Sequence, residues 1–358
     1  MISALLPRPA LVLQKPAVEE VDTLYDQPDS EHLVIATLEK WQAGLRLGEP
    51  LSEQALALLP VYTDTQPTAP RYRTLEQAIA AGEVAITEAL QATVPTLQVH
   101  NRGDLPVLIL DGEEVVGGRQ NRVVNTTLLV PSKAIFPLPV SCVEHGRWHE
   151  VRPVFDAGET AYPRLRSQKI QQVAASYAMH GTPMADQSAV WGEIADGHRR
   201  VGSRSATGAM RDAYAKRAVD LARAEERLAC PEDGPVGVVA VVGGRAVCAD
   251  IFDSGDTLRT YWTRLVRSYA LEALGAPPGP PAVDSAKRLL DRPLNARRKA
   301  FRSPGLGLDI RISGNGVVGA ALVHEDAVIH AALFRARAGS ASSPGISRPS
   351  ARARRYGF

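Results

Sequence analysis

"PVLILDGEEVVGGRQNRVVNTTLLVP" (106–131) decides the fold class. Its Val, Ile, Leu and Thr residues come in short runs, broken by Asp-Gly and by a Gly-Gly pair. That is the punctuation of short strands joined by tight loops. The pattern continues on both sides, in "TLQVHN" (96–101) and "AIFPLPVSCVEH" (134–145). So dense a set of short strands between 94 and 145 predicts a sandwich or open barrel. Just upstream, "TLEQAIAAGEVAITEA" (74–89) starts as a helix, with Thr74 and Gln77 spaced as a capping box. Gly82 ends that helix, and a strand begins in "VAITEA".

After Pro163 the apolar period lengthens. "RSQKIQQVAASYAMHG" (166–181) reads as a helix closed by Gly181, and 207–229 and 257–275 read as two more. Between them "GPVGVVAVVGGRAVCADIFD" (234–253) reads as a hairpin turned on Gly243-Gly244. "GAPPGPPAV" (275–283) is a stiff linker, a short helix follows, and 308–336 is a β-meander. "GNGVVG" (314–319) matches a dinucleotide fingerprint, but a His-Glu-Asp turn follows where that motif needs a helix, so Asn315-Gly316 reads as a hairpin turn. The expected class is α+β. A loose arm (1–30) leads into a β-rich half carrying the polar motifs (31–163). A helical and hairpin-containing half (164–337) of the same globular unit follows, and then a disordered basic tail (338–358).

Composition sets the outer limits. Lys plus Arg total 41 against 39 Asp plus Glu, so no global field selects nucleic acid or a membrane surface. The three cysteines, Cys142, Cys230 and Cys248, form no CxxC pair and suit a reducing cytoplasm, which is the expected location. No apolar run reaches membrane-spanning length. Walker A, G-x-S-x-G and HExxH motifs are all lacking.

Two stretches hold the chemistry. In the first, Gly117, Gly118, Arg119, Gln120, Asn121 and Arg122 join two strands. Two glycines leave backbone N–H groups for an anion nest, and arginine offers a fork for phosphate. Gln and Asn supply donor and acceptor for a sugar or base. A polar hairpin loop with no ligand explains the same residues. The second stretch is "PVSCVEHGRWHE" (139–150). Phe136, Leu138, Val140, Cys142 and Glu144 share one strand face, so Cys142 continues an apolar row and is expected to be buried and structural. Glu144, at the strand's end, is a candidate for acid–base work or ribose binding. His145 and His149 are split by Gly146, and a metal site is not expected. Trp148 either stacks on a base or plugs the core, and the area a Trp buries favours the plug.

These stretches carry a resemblance. "VHNRGDLPVLILDGEEVVGGRQNRVVNTTLLVP" and "LPVSCVEHGRW", with "SATGAMRDAYAK" and "LRTYWTRLVRSYALEAL" later, resemble the domains named for association with ADP-ribosylglycohydrolases and rhodanese-phosphatases, over roughly residues 45–335. The resemblance implies a role in ADP-ribose or NAD-derived nucleotide metabolism. It also implies a small phosphorylated nucleotide-like ligand and an ADP-ribosylglycohydrolase-type partner, with no cofactor, no membrane and no specific nucleic acid. Its motif falls here on Asp111, Gly112, Glu113, Glu114, Gly117, Gln120, Asn121, Arg122, Asn125, Ser141, Cys142, Glu144, Gly146, Arg147 and Trp148. On this reading Arg119 and Arg122 hold phosphate, Gln120 and Asn121 orient the sugar or base, and Glu113, Glu114 or Glu144 is the acid–base group, with Gly117, Gly118, Asn125, Arg147 and Trp148 as further ligand-binding residues. An enzyme, a non-catalytic sensor and an interaction module all remain open. Glu113 or Glu114, Gln120, Asn121, Arg122, Glu144 and Arg147 are expected to converge on one concave surface.

Overall fold

The structure, a computed structural model, describes residues 30–64, 71–93 and 95–336. The loose arm and the basic tail expected at the two ends lie outside the described residues, save for the first residue of the opening helix.

The chain opens with helix α1 (Ser30–Ala43) and strands β1 (Leu45–Leu47), β2 (Leu51–Glu53) and β3 (Leu56–Thr63). Then come β4 (Arg73–Thr74), α2 (Leu75–Ala80), β5 (Val84–Thr93), β6 (Thr96–Asn101), β7 (Val107–Ile109) and β8 (Glu113–Val116). The β-rich part ends with β9 (Arg122–Val124), β10 (Leu128–Val130), β11 (Ala134–Cys142) and β12 (Val154–Thr160). Helices α3 (Pro163–His180), α4 (Gln187–Val201), α5 (Arg211–Lys216) and α6 (Ala218–Arg227) follow. The hairpin β13 (Gly237–Val242) and β14 (Arg245–Phe252), α7 (Gly255–Ala273) and α8 (Val283–Asp291) come next. The chain closes on β15 (Arg297–Arg302), β16 (Leu308–Gly314), β17 (Val317–His324) and β18 (Ala327–Arg335).

The α+β expectation holds, and the barrel is closed rather than open. Six strands run in the order β11-β6-β5-β12-β8-β9, and β9 pairs back onto β11. Closure comes from two strands that change partner midway. Residues 134–139 of β11 pair with β6, and Val140, Ser141 and Cys142 pair with β9. Likewise Val154 and Phe155 of β12 pair with β5, and Asp156 onward pairs with β8. The apolar row read from the sequence fills the interior: Phe136, Leu138 and Val140 pack with Ile86, Leu97, Val99, Val115, Val124 and Phe155. Helix α2 and the small sheet β10-β7-β4 pack against the same core through Leu75, Ala78, Val107, Ile109, Leu128 and Val130. The capping box is present as expected, with Thr74 Oγ1 accepting from Gln77 N–H and Gln77 Oε1 accepting from Thr74 N–H.

The second layer is a nine-stranded antiparallel sheet, β1-β3-β13-β14-β18-β17-β16-β15, with β2 also on β3. Its central strands, such as β3, β13 and β17, read as continuous apolar runs because both faces are covered. Leu56, Leu58, Val238, Ala240 and Phe334 face α3 and α7, on which the barrel rests. Ala57, Leu59, Val61, Val239 and Leu333 face α1 and α8. Helices expected at 166–181 and 257–275 are α3 and α7. The single helix expected over 207–229 is instead two and starts later: Gly208 sits at φ 65° ahead of α5, and Arg217 leaves helical geometry between α5 and α6. Residues 187–201, read as no element, form α4, capped by Asp186 accepting from Ser188 and Ala189 N–H. Among the described residues no helix is long and apolar enough to cross a membrane.

The layers are joined by a buried ionic network centred on α3. Arg166 donates twice to Asp250 of β14, at 2.9 and 2.6 Å, and both side chains are fully buried. Asp250 also accepts from Tyr269 at 2.5 Å and is bonded to His330 at 3.2 Å. One turn along α3, Lys169 donates to Asp111 at 3.3 Å and to the Val124 carbonyl at 2.5 Å. Arg166 reaches the same Asp111 at 3.5 Å. His330 meets Thr127 at 3.0 Å, so the sheet and the 110–127 segment share the cluster. Gly112 is required beside it: φ is 83°, and a Cβ there would lie 2.7 Å from the Arg166 side chain.

Removing one partner of a buried pair strands the other charge. Arg166→Met should therefore cost about 3–5 kcal/mol in urea unfolding at neutral pH. Burial opposes the charge on Asp250, but Arg166 and His330 hold its carboxyl well below the usual carboxylate range. A group held down in this way stabilises fully above its unfolded value, about 3.9, and the stabilisation is lost as the pH falls toward the folded value. The stability gap between wild type and Asp250→Asn should thus be constant above about pH 5 and narrow on acidification. A gap that widens at low pH would refute this assignment.

Candidate functional site

The Gly-Arg-Gln-Asn loop closes the β8–β9 hairpin across one end of the barrel. Gly118 has φ 49°, and a Cβ on it would lie 2.3 Å from the Phe155 ring, so only glycine lets the loop lie flat on that ring. The expected anion nest is occupied by the chain's own acceptors. Gly117 N–H donates to Asn121 Oδ1 at 3.3 Å, Gly118 N–H to the Arg152 carbonyl at 2.9 Å, and Arg119 N–H to Glu88 Oε1 at 3.1 Å.

Behind the loop lies a compact polar cluster. Arg147 pairs with Glu144 at 2.6 Å and donates to Asn121 Oδ1 and the Gly118 carbonyl. Glu144 also accepts from Asn121 N–H at 3.2 Å and from Thr207 Oγ1 at 3.0 Å. Gln120 donates to the Glu144 carbonyl at 2.7 Å. Burial opposes ionisation of Glu144, but the Arg147 and Asn121 hydrogen bonds pull its carboxyl below the ordinary value. It is an anchored anion.

Arg122 is different. In the antiparallel ladder Cys142 faces Arg122 as Val140 faces Val124, and both valines belong to the barrel core. Arg122 therefore points inward, and it is 1% exposed. It donates to the Gln120 carbonyl at 2.9 Å and to Gln120 Oε1 at 3.4 Å, and its Nε has no partner. Among the described residues no carboxylate forms an ion pair with it. Cys142 lies alongside, fully buried as expected, with Sγ donating to Gln120 Oε1 at 2.6 Å. Burial pushes its thiol up to about 12, so it is a structural thiol and not a thiolate.

The other candidates separate. Gln120, Asn121, Arg122, Glu144 and Arg147 come together, but as a buried cluster and not as an open concave surface. Glu113 and Glu114 are neighbours on a strand and face opposite ways. Glu113 turns to α7, where Arg264 donates to it at 2.7 Å. Glu114 turns toward Glu144, Glu159 and Arg211; it accepts from Glu159 N–H at 3.2 Å and its Oε1 has no partner. Asn125 is held between Ser141 and the Pro183 carbonyl. Trp148 does not plug the core: it is 53% exposed, and Arg119 stands 5.8 Å above its ring. Exposed Val151 and Val154 extend that rim.

Sequence reading missed two residues that complete the site. Thr207 fixes Glu144, and its carbonyl accepts from Gly146 N–H at 2.7 Å. Gln187 pairs with both backbone groups of Cys142, at 2.7 and 2.8 Å, as a further strand would. Both are remote in sequence; the visible signals were the stretch "SATGAMRDAYAK", which holds Thr207, and the Asp186 cap beside Gln187.

Burial pushes the Glu114 carboxyl up to about 8. Its unfolded value is about 4.3, so the folded state keeps a proton that the unfolded chain loses between the two values. Stability should fall as the pH rises from about 4.3 to the folded value, and this slope should vanish in Glu114→Gln. Urea unfolding should show the variant gaining about 3 kcal/mol on wild type between roughly pH 5 and 8. Parallel profiles would mean that Glu114 titrates normally.

Neither the curated proteins nor the solved structures contain a significant match to the chain. A family model does match, and it covers residues 44–334, the barrel and the large sheet alike. The chain belongs to the family of the ARG and Rhodanese-Phosphatase-superfamily-associated Protein domain.

Proposed function

We propose that the protein is a binding module for an ADP-ribose-like or other NAD-derived nucleotide, held at the barrel end closed by the Gly117–Arg122 loop. The observation that carries this reading is Arg122, a buried guanidinium with an unpartnered Nε and no carboxylate counter-charge among the described residues. A buried cation without an anion is expensive, and a phosphate supplies the missing charge in the planar geometry that arginine prefers. Trp148 and Arg119 at the rim offer a stacking face and a second cation for the base and the distal phosphate. Phosphate recognition falls to the arginines, because the loop N–H groups already have acceptors. Binding is favoured over turnover: Glu113 is paired with Arg264 and Glu144 with Arg147, which leaves neither free to move a proton. The family name supports action beside a partner protein, an ADP-ribosylglycohydrolase-type enzyme in this reading.

One observation favours a second reading, an enzyme with Glu114 as general acid. That carboxyl holds a proton near neutrality and has an unpartnered oxygen.

ADP-ribose, NAD and AMP should be screened by thermal shift, since a ligand of the native state must raise the melting temperature. Trp148→Ala, at an exposed position, should leave the unliganded melting temperature unchanged and weaken ADP-ribose binding by roughly 1–3 kcal/mol. Arg122→Ala should weaken it by about 2 kcal/mol, roughly thirtyfold, and Arg122→Lys should restore only part. An Arg122→Ala protein that melts early yet binds with unchanged affinity at a permissive temperature would remove the ligand role. Release of a product from ADP-ribose by wild type but not by Glu114→Gln would establish the enzyme reading instead.

A further inference from the structure

A second basic site lies on the opposite face of the large sheet from the barrel. Three elements meet there: the start of β14 at Arg245, α8, whose first turn and Arg288 of its last turn both face it, and the end of β18 at Arg335. They line a cleft of about 580 Å³ together with Gly244, Ala282, Val283, Asp284 and Ser285. The walls are fixed. Ser285 Oγ accepts from Ala246 N–H at 3.0 Å and ties α8 to β14. Ala286, Leu289 and Leu290 bury the other side of α8 against the sheet.

All three arginines are exposed, and none has a carboxylate partner among the described residues. Asp284 is the one acid in the lining, so the cleft carries a clear positive excess. The positive end of the α8 dipole adds to it. Like charges brought together from three separate elements repel, and nothing in the packing requires them, because the side chains point away from the core. Their convergence is explained by an anionic occupant. Guanidinium forks match phosphate oxygens in pairs, and the volume lies in the range of small-ligand sites.

We infer that this cleft is a second, independent site for a small phosphorylated anion, with Arg245, Arg288 and Arg335 as its ligands. It is separate from the Arg122 site, and its occupant is recognised by charge and phosphate geometry without an aromatic platform.

The test is calorimetric titration of the full chain with inorganic pyrophosphate. Saturable binding is expected, weakening steeply as salt is raised. Each of Arg245→Gln, Arg288→Gln and Arg335→Gln should weaken it roughly tenfold or more, with the melting temperature unchanged. Arg→Lys at the same positions should keep part of the affinity. In Trp148→Ala, pyrophosphate binding at the cleft should persist, so failure of the barrel-end reading and failure of this one are distinguishable. Absence of saturable binding, or affinity unchanged in the triple Arg→Gln variant, would overturn the inference. So would a single-stranded oligonucleotide that needs the three arginines when pyrophosphate does not bind.

Discussion

The pairing of Arg166 with Asp250 is the constraint on which the rest of the molecule depends. Both groups are fully buried, and each satisfies the other in two parallel hydrogen bonds. An ion pair so placed adds little net stability but makes loss of either partner costly, since the other charge is then buried alone. Lys169 and Asp111 extend the constraint to the segment that carries the polar motif. Because the Val124 carbonyl accepts from Lys169, β9 is pinned two residues beyond Arg122. The position of the motif on the barrel is thereby referred to the sheet.

The site itself is built by preorganisation. Arg147 reaches two loop carbonyls, the Asn121 side chain and Glu144, so one guanidinium fixes both the loop and the end of β11. Arg122 lacks an equivalent set of acceptors. The two arginines of one cluster thus differ: Arg147 is saturated by the loop and Glu144, whereas Arg122 keeps an unpartnered Nε.

Legibility in the sequence followed the range of the interaction. Local chemistry was readable: the Thr74–Gln77 capping box, the Gly243-Gly244 and Asn315-Gly316 turns, and the alternating row from Phe136 to Cys142. The strands at 45–63 were not, because "LALLPVYT" is buried on both faces and shows no alternation. Arg166 and Lys169 carried no signal beyond their place in the expected helix, because their acid partners lie on other elements. Trp148 was misread because its size favours burial, while its place in a loop between β11 and β12 exposes it. Within the site, the cluster of Gln120, Asn121, Glu144 and Arg147 was legible as a motif. Its burial, the opposite facing of Glu113 and Glu114, and the contributions of Thr207 and Gln187 belong to tertiary structure.

The large sheet has a consequence for how the protein is made. Strand β3 lies between β1 and β13, so Leu59 finds its ladder partner only when Val239 exists. Asp250 likewise waits for His330, near the end of the described chain. β1 and β2 precede β3, but a ribosome emits the barrel strands long before β13, and during that interval one edge of an apolar strand lacks its partner. Contacts so distant in sequence make folding slow and leave an aggregation-prone edge in the nascent chain. Ladder contacts of β3 with β13 span about 180 residues of chain, further than any pairing that closes the barrel.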